Sequence, residues 1–312
     1  MRCITLLLVF TLLFKHAHAS SLIPGEEQIL DQQEIVTAVT GLIDAIDQQY
    51  LFETKRQRIT TQLTQALSNG EFDGHFSFGR FKRKMEAMLV AVSHDSNFEL
   101  QWRSGLTGDS SGDLLPGSVS WQKLPGDIGY ISIEGDLVAK GWQKDIDRAF
   151  AASVDSRALI IDVRKAGLSS LALSHHVLSQ FMPAGQPLSV ITFARQSTEQ
   201  MVSNGSPQAF PPALPIFIIT SPFVAGPWEF VAYTLKHAER ATIVGTPTMG
   251  VGYLTTTIVL SEHVKLVMAN AELRHPKTDE SWQGWGVLPT IYAEADRAMD
   301  VALKLAQRTQ SK

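Results

Sequence analysis

Hydroxyl side chains stand at four places where the chain turns: Ser169, Ser221, Thr248 and Ser281. Any of them could attack a carbonyl, but only with a base in hydrogen-bond reach and a group that orients that base. No such base can be assigned to them from the sequence. His175 and His176 are neighbours in a helix-like run from Leu171 to Phe181. Adjacent helical residues point about 100° apart, so the pair is ill placed to hold one ion, and no metal or other cofactor is expected. Arg80, Lys82, Arg83 and Lys84 cluster on a third helical segment, where a solvated face is the simpler reading and a binding patch the other. A net charge of −4 gives no reason to expect nucleic acid or an anionic membrane surface as partner.

The stretch that could place such chemistry runs from Pro215 to Gly252. Pro215-Ile-Phe-Ile-Ile-Thr-Ser221 is a short apolar run bounded by proline and a turn, the pattern of a fully buried strand. Phe230, Val231, Tyr233, Thr234 and Leu235 suit a helix packed on it, and Ala241 to Val244 starts a second strand. Strand, tight turn, helix and strand make a βαβ unit, which in many hydrolases sets a nucleophile on the turn.

Other segments frame this unit. Met1-Arg2, the apolar run Ile4–Phe14 and Ala17-His18-Ala19 predict a secretory signal peptide over residues 1–19, with Lys15 leaving an uncleaved anchor open. The only cysteine, Cys3, falls inside it, so the mature chain would have no disulfide, as suits a periplasmic or secreted protein with an adequate core. From Glu26 to about Phe98 the pattern is helical. Ile29, Ile35, Val36, Val39, Leu42, Ile43 and Ile46 share one face, Ile59, Leu63 and Leu67 mark a second helix before Gly70, and Phe78 to Val92 mark a third. A helical domain is thus expected over residues 26–103, a turn-rich linker over 104–118 and a core domain over 119–309. Within that core, strands are predicted at Ile128–Ile133 and Ala158–Val163, and helices at Lys140–Ala152 and Asp296–Gln307.

The motifs in this order resemble the C-terminal processing peptidases (tail-specific proteases), whose relatives include the interphotoreceptor retinoid-binding proteins. The family's turn reads roughly Thr-Ser-x-x-Thr-Phe-Ser-Ala-Ala-Glu-Glu-Phe-Ala, with its second Ser as nucleophile. Thr220-Ser221 and Ala232 align with its ends without a gap. The resemblance implies an α/β core, ββα-type and crotonase-like, behind a small all-α domain. It also places the nucleophile at Gly226, the base of the Asp-x-His motif at Asn97, the alternative lysine base at Val251, and the glutamate of Trp-Glu-Gly-x-Gly-Val at Gln283. Glycine carries no nucleophile, and Asn and Gln take up no proton near neutral pH. The family's glycine run after Asp-Leu-Arg, which helps form an oxyanion hole, is reduced to Gly167, with Leu168 beside it. The linker leaves no room for a peptide-tethering PDZ domain.

These substitutions predict a serine-peptidase-like protein without catalysis, holding a peptide or an apolar small molecule in the former cleft. Gly167, Leu168, Gly226, Pro227, Trp228, Met249, Gly250 and Tyr253 would line it. The alternative is an active serine-type hydrolase with a relocated nucleophile. A third reading is a scaffold that pairs with an active relative. No integral membrane segment is expected after signal cleavage.

Overall fold

The computed structural model describes residues 25–103, 114–207 and 209–309. The expected signal peptide and most of the expected linker lie outside them. In chain order the elements are β1 (Ile29–Leu30), α1 (Gln32–Gln49), α2 (Glu53–Ser68), β2 (Phe76–Ser77), α3 (Phe78–Ser93), β3 (Glu99–Trp102) and β4 (Ser118–Leu124). There follow β5 (Ile128–Leu137), α4 (Trp142–Ser153), β6 (Ala158–Ser169), α5 (Leu171–Ser179), β7 (Pro187–Phe193), β8 (Thr198–Val202) and β9 (Ile216–Thr220). The chain closes with α6 (Pro227–His237), β10 (Thr242–Gly245), β11 (Tyr253–Val259), β12 (Val264–Arg274), β13 (Ile291–Tyr292) and α7 (Ala298–Arg308).

One six-stranded sheet, in the order β13-β10-β9-β6-β5-β4, is parallel except at its β4 edge. Its central strands are apolar on both faces because helices cover both. Leu159, Ile161 and Val163 of β6 and Ile216 and Ile218 of β9 join the core beneath α4, α5 and α6. The alternate residues Ala158, Ile160, Phe217 and Ile219 meet Ala298, Ala302 and Ala306 of α7. Alanines at four-residue steps leave no bulk between that helix and the sheet.

A second sheet runs β11-β12-β7-β8, with β3 also paired to β12. The N-terminal helices do not close a core among themselves. Ile35, Leu42 and Ile46 of α1, Ile59 and Leu63 of α2 and Phe81, Met85 and Leu89 of α3 share one with Leu260, Val264, Leu266 and Met268.

Several sequence expectations shift here. The chain is not helical from Glu26: Ile29–Leu30 pairs with Phe76–Ser77, and α1 waits for Asp31, whose side chain accepts the Glu34 N–H as an N-cap. Helix α4 starts after Gly141, which adopts φ +113°. Lys165–Ser169, read as the remnant of a glycine loop, continues strand β6 against Glu134, Gly135 and Leu137.

Candidate active site

Strand β9 ends at Thr220, and the chain reverses through Ser221–Gly226 into α6. Gly226 adopts φ +55°, ψ −118°, a combination strained for any residue with a side chain. It lets the strand turn sharply into a helix and leaves the Cα facing outward; a Cβ built there meets nothing within 4 Å. Pro227 fills the first helical position, where its fixed φ suits the helix and its missing N–H costs nothing. The backbone thus has the form of a nucleophile elbow, with no side chain on its apex.

Glu229 organises what surrounds this turn. It is fully buried, and its Oε2 accepts the N–H groups of Gly226 and Val251, both at 2.8 Å. Its Oε1 accepts the Gly250 N–H at 2.6 Å and the Thr248 hydroxyl. The Thr248 oxygen in turn accepts the Val287 N–H at 2.7 Å. One carboxylate therefore joins the elbow, the 246–252 loop and, through Thr248, the 281–287 loop. The reach back from Glu229 to Gly226 is half a capping box, since glycine cannot return the bond. The role of this residue was not read from the sequence. The signal was a glutamate three positions after the turn glycine; its other partners are brought in only by the fold.

Gln283, expected from the sequence resemblance to stand where the family has a glutamate, accepts the Gly252 N–H at 2.6 Å and the Tyr253 N–H at 3.2 Å. The Trp282 indole N–H donates to the Val251 carbonyl, and the Gly284 N–H to the Gly250 carbonyl. Gly250 could carry no side chain, because a Cβ would lie 2.9 Å from the Gly286 nitrogen. The Met249 N–H reaches the Val224 carbonyl, closing the ring of loops against the elbow.

Asn97, the expected base position, makes no hydrogen bond to this lattice among the described residues. Asn97 donates its backbone and side-chain N–H groups to Asp95 Oδ1, at 2.9 and 2.6 Å. Asp95 Oδ2 accepts the Tyr50 hydroxyl at 2.6 Å, and burial together with that carboxylate pushes the phenol pKa up. His94 caps α3 in a left-handed conformation and is exposed. The link to the loops is Tyr253, whose ring meets Phe52 edge-on at 5.2 Å. Burial chiefly raises its pKa, with smaller contributions from Glu272 and Asp95.

The expected oxyanion segment is spent differently from the sequence reading. Leu168 does not fill the space with its side chain, which is 62% exposed. Its backbone N–H instead donates to Asp136 Oδ1 at 2.6 Å, and a Cβ at Gly167 would collide with that same oxygen. Asp162 and Arg164 form a bidentate pair, and the Arg164 carbonyl accepts the Ser221 hydroxyl at 3.0 Å. Trp228, expected to line the cleft, points inward and is 1% exposed in the core beneath the sheet. Gly226, Pro227, Met249, Gly250, Val251, Tyr253 and Gln283 are the predicted residues that these loops gather; Asn97 is linked to them through Asp95, Tyr50, Phe52 and Tyr253.

None of the remaining hydroxyls is hydrogen-bonded to a histidine or a lysine among the described residues, and the one carboxylate partner, Glu229 on Thr248, already accepts three backbone N–H groups. Ser221 donates to a carbonyl, Thr248 to Glu229, Ser281 accepts the Gln283 N–H, and the Ser169 oxygen is buried without a partner. Around the elbow each loop instead presents an exposed apolar side chain: Phe223, Met249 and Trp285, the last 82% exposed. Trp285 stands between Gly284 and Gly286, both at positive φ, so a tight turn holds it out from the surface.

Comparison with known proteins agrees with the fold that carries these loops. The sequence model described as Peptidase family S41 matches residues 127–293. A carboxy-terminal-processing protease of Bartonella bacilliformis is 30% identical over 140 residues, which are 44% of this chain. The match spans about a third of that relative, 31% of its length. Among solved structures, the photosystem II D1 C-terminal processing protease superposes with a TM-score of 0.63 at 13% identity, covering 84% of this chain and 93% of that one. A putative peptidase from Parabacteroides merdae gives 0.64 at 13% identity, covering 89% and 97%. A lipoprotein from Streptococcus agalactiae also gives 0.64 at 13% identity, covering 88% and 96%. At such identities these structures establish the likeness of fold.

Proposed function

The chain belongs to peptidase family S41, and on that premise we propose that it no longer cleaves peptides and uses the surface around Gly226 to hold a peptide or an apolar small molecule. The observation that carries this reading is the elbow: a strained turn with open space at its apex and no oxygen on it. The neighbouring hydroxyls support it, because their hydrogen bonds go to carbonyls, a carboxylate or backbone amides rather than to an imidazole or amine. The exposed Phe223, Met249 and Trp285 supply the apolar contact that such binding needs. A periplasmic or secreted setting follows from the N-terminal pattern, and no helix among the described residues is long and apolar enough to cross a membrane. Pairing with an active relative would use the same exposed surface.

Labelling with a fluorophosphonate probe, beside a casein digestion assay, tests the proposal. Wild type is expected to stay unlabelled and inert. Gly226→Ser is expected to stay inert too, because a serine placed there has no histidine or lysine at Asn97 or Val251 to activate it. Labelling of the wild type at a mapped Ser or Thr would overturn the reading in favour of a relocated nucleophile.

A further inference from the structure

The far end of α6 meets a second concavity, unconnected with the elbow. About 16 Å of helix separates Gly226 from His237. There, the start of β9 and β10, strand β13 and the end of α7 enclose a trough of about 820 Å³, within the size range of small-molecule sites. Its walls are largely apolar, built from Leu214, Ile216, Phe217, Ile291 and Leu305.

Three cations stand on this trough, Lys236, Arg240 and Arg308, against one carboxylate, Glu239. Neither Lys236 nor Arg240 is fully solvated, and among the described residues neither has a carboxylate within ion-pair distance. Lys236 Nζ donates to the Leu288 carbonyl at 2.7 Å. The two terminal nitrogens of Arg240 donate to the carbonyls of Leu214 and Pro211, at 2.7 and 2.8 Å, while its Nε is buried without a partner. Burial lowers the pKa of both side chains, as expected of cations that no anion answers. Arg308 is exposed on the opposite lip, on the last turn of α7. Half-buried positive charge beside an apolar wall is electrostatically costly in the empty protein, and an anion is what would offset it.

We propose that this trough is a binding site for a small amphipathic anion, its alkyl body against the half-buried Pro215, Ile291 and Leu305 and its carboxylate at Lys236, Arg240 and Arg308. The site lies at the N-terminal ends of the parallel strands, whereas the elbow lies at their C-terminal ends, so occupancy here is independent of the cleft around Gly226.

Isothermal titration of decanoate into the full chain tests this, with decanol as the neutral counterpart. Decanoate is expected to bind at one molecule per chain, and decanol about tenfold more weakly, since charge-assisted bonds to the head group are absent. Arg308→Gln, at an exposed position, is expected to weaken decanoate about tenfold with little change in the unfolding midpoint. Lys236→Gln should act in the same direction, and Met249→Glu, beside the elbow, should leave binding as it was. Equal affinity for decanol, indifference to both cation variants, loss on Met249→Glu, or no binding of decanoate would each overturn the proposal. Displacement of decanoate by a short peptide with an apolar C-terminus at lower concentration would do so as well.

Discussion

Glu229 carries four hydrogen bonds on two oxygens in a fully buried position, and three of the donors are backbone N–H groups that no other acceptor replaces. Changing it to glutamine turns one acceptor into a donor facing donors, so at least one N–H is left unpaired. The expected cost is about 3 kcal/mol, read as a drop in the urea midpoint. The same variant should speed hydrogen exchange at the amides of Gly250 and Val251 relative to the core of β9. Unchanged exchange there would mean that the carboxylate does not hold the loops. Gly226 differs in kind. A side chain has room there but not a relaxed backbone, so Gly226→Ser should be about 1–3 kcal/mol less stable while remaining folded. The absence of a nucleophile at 226 was legible in the sequence because glycine is unambiguous. The part played by Glu229 was not, because its partners at 248, 250 and 251 come near only when β10 lies beside β9.

At the scale of elements, the two ends of α6 serve different ends of the fold. Its C-terminal turn places His237 against His275, which follows β12, with ring centroids 5.1 Å apart. Burial chiefly lowers both pKa values; His275 and Lys236 lower that of His237 further, Lys277 that of His275, and Glu280 opposes the shift in each. The unfolded chain therefore takes up protons first as pH falls below about 6.5. The stability these histidines contribute is present above that value and is lost as pH falls through their folded-state pKa values. Urea midpoints at about pH 7.5 and about pH 5.5 should thus converge in a His237→Gln/His275→Gln variant relative to wild type. A wild type that loses no more on acidification than the variant would refute the coupling. Element identity in this region was readable from apolar runs and turns, as with β9 and α6. What could not be read was where β6 stops. Lys165–Ser169 has the look of a loop, but pairing with β5 and the Asp136 carboxylate, which takes the Leu168 N–H, keeps it extended. Local propensity contains neither partner.

Across the whole molecule, β12 ties two cores into one body. Ala271 and Leu273 sit in the core beneath the parallel sheet, while Val264, Leu266 and Met268 of the same strand sit in the core of the N-terminal helices. Strand β3, which follows those helices, pairs with the β12 segment that they cover. The periodicity of residues 26–98 revealed helices but not what they pack on, because the floor of that core (Leu260, Val264, Leu266 and Met268) comes from a segment more than 150 residues later. A helical region that borrows its floor from the second sheet has no route to unfold while the sheet stays intact. Far-ultraviolet circular dichroism, to which helices of both cores contribute, and fluorescence of a Trp102→Phe variant, which keeps the buried Trp228 and Trp282 of the sheet core, should therefore give single, superimposable urea transitions. Met268→Ala removes contacts only from the helix side, at a cost of about 2–5 kcal/mol, and should move both signals together. A helical transition that separates from the tryptophan transition, with or without Met268→Ala, would show that the helices stand as an independent unit and that β12 does not couple the cores.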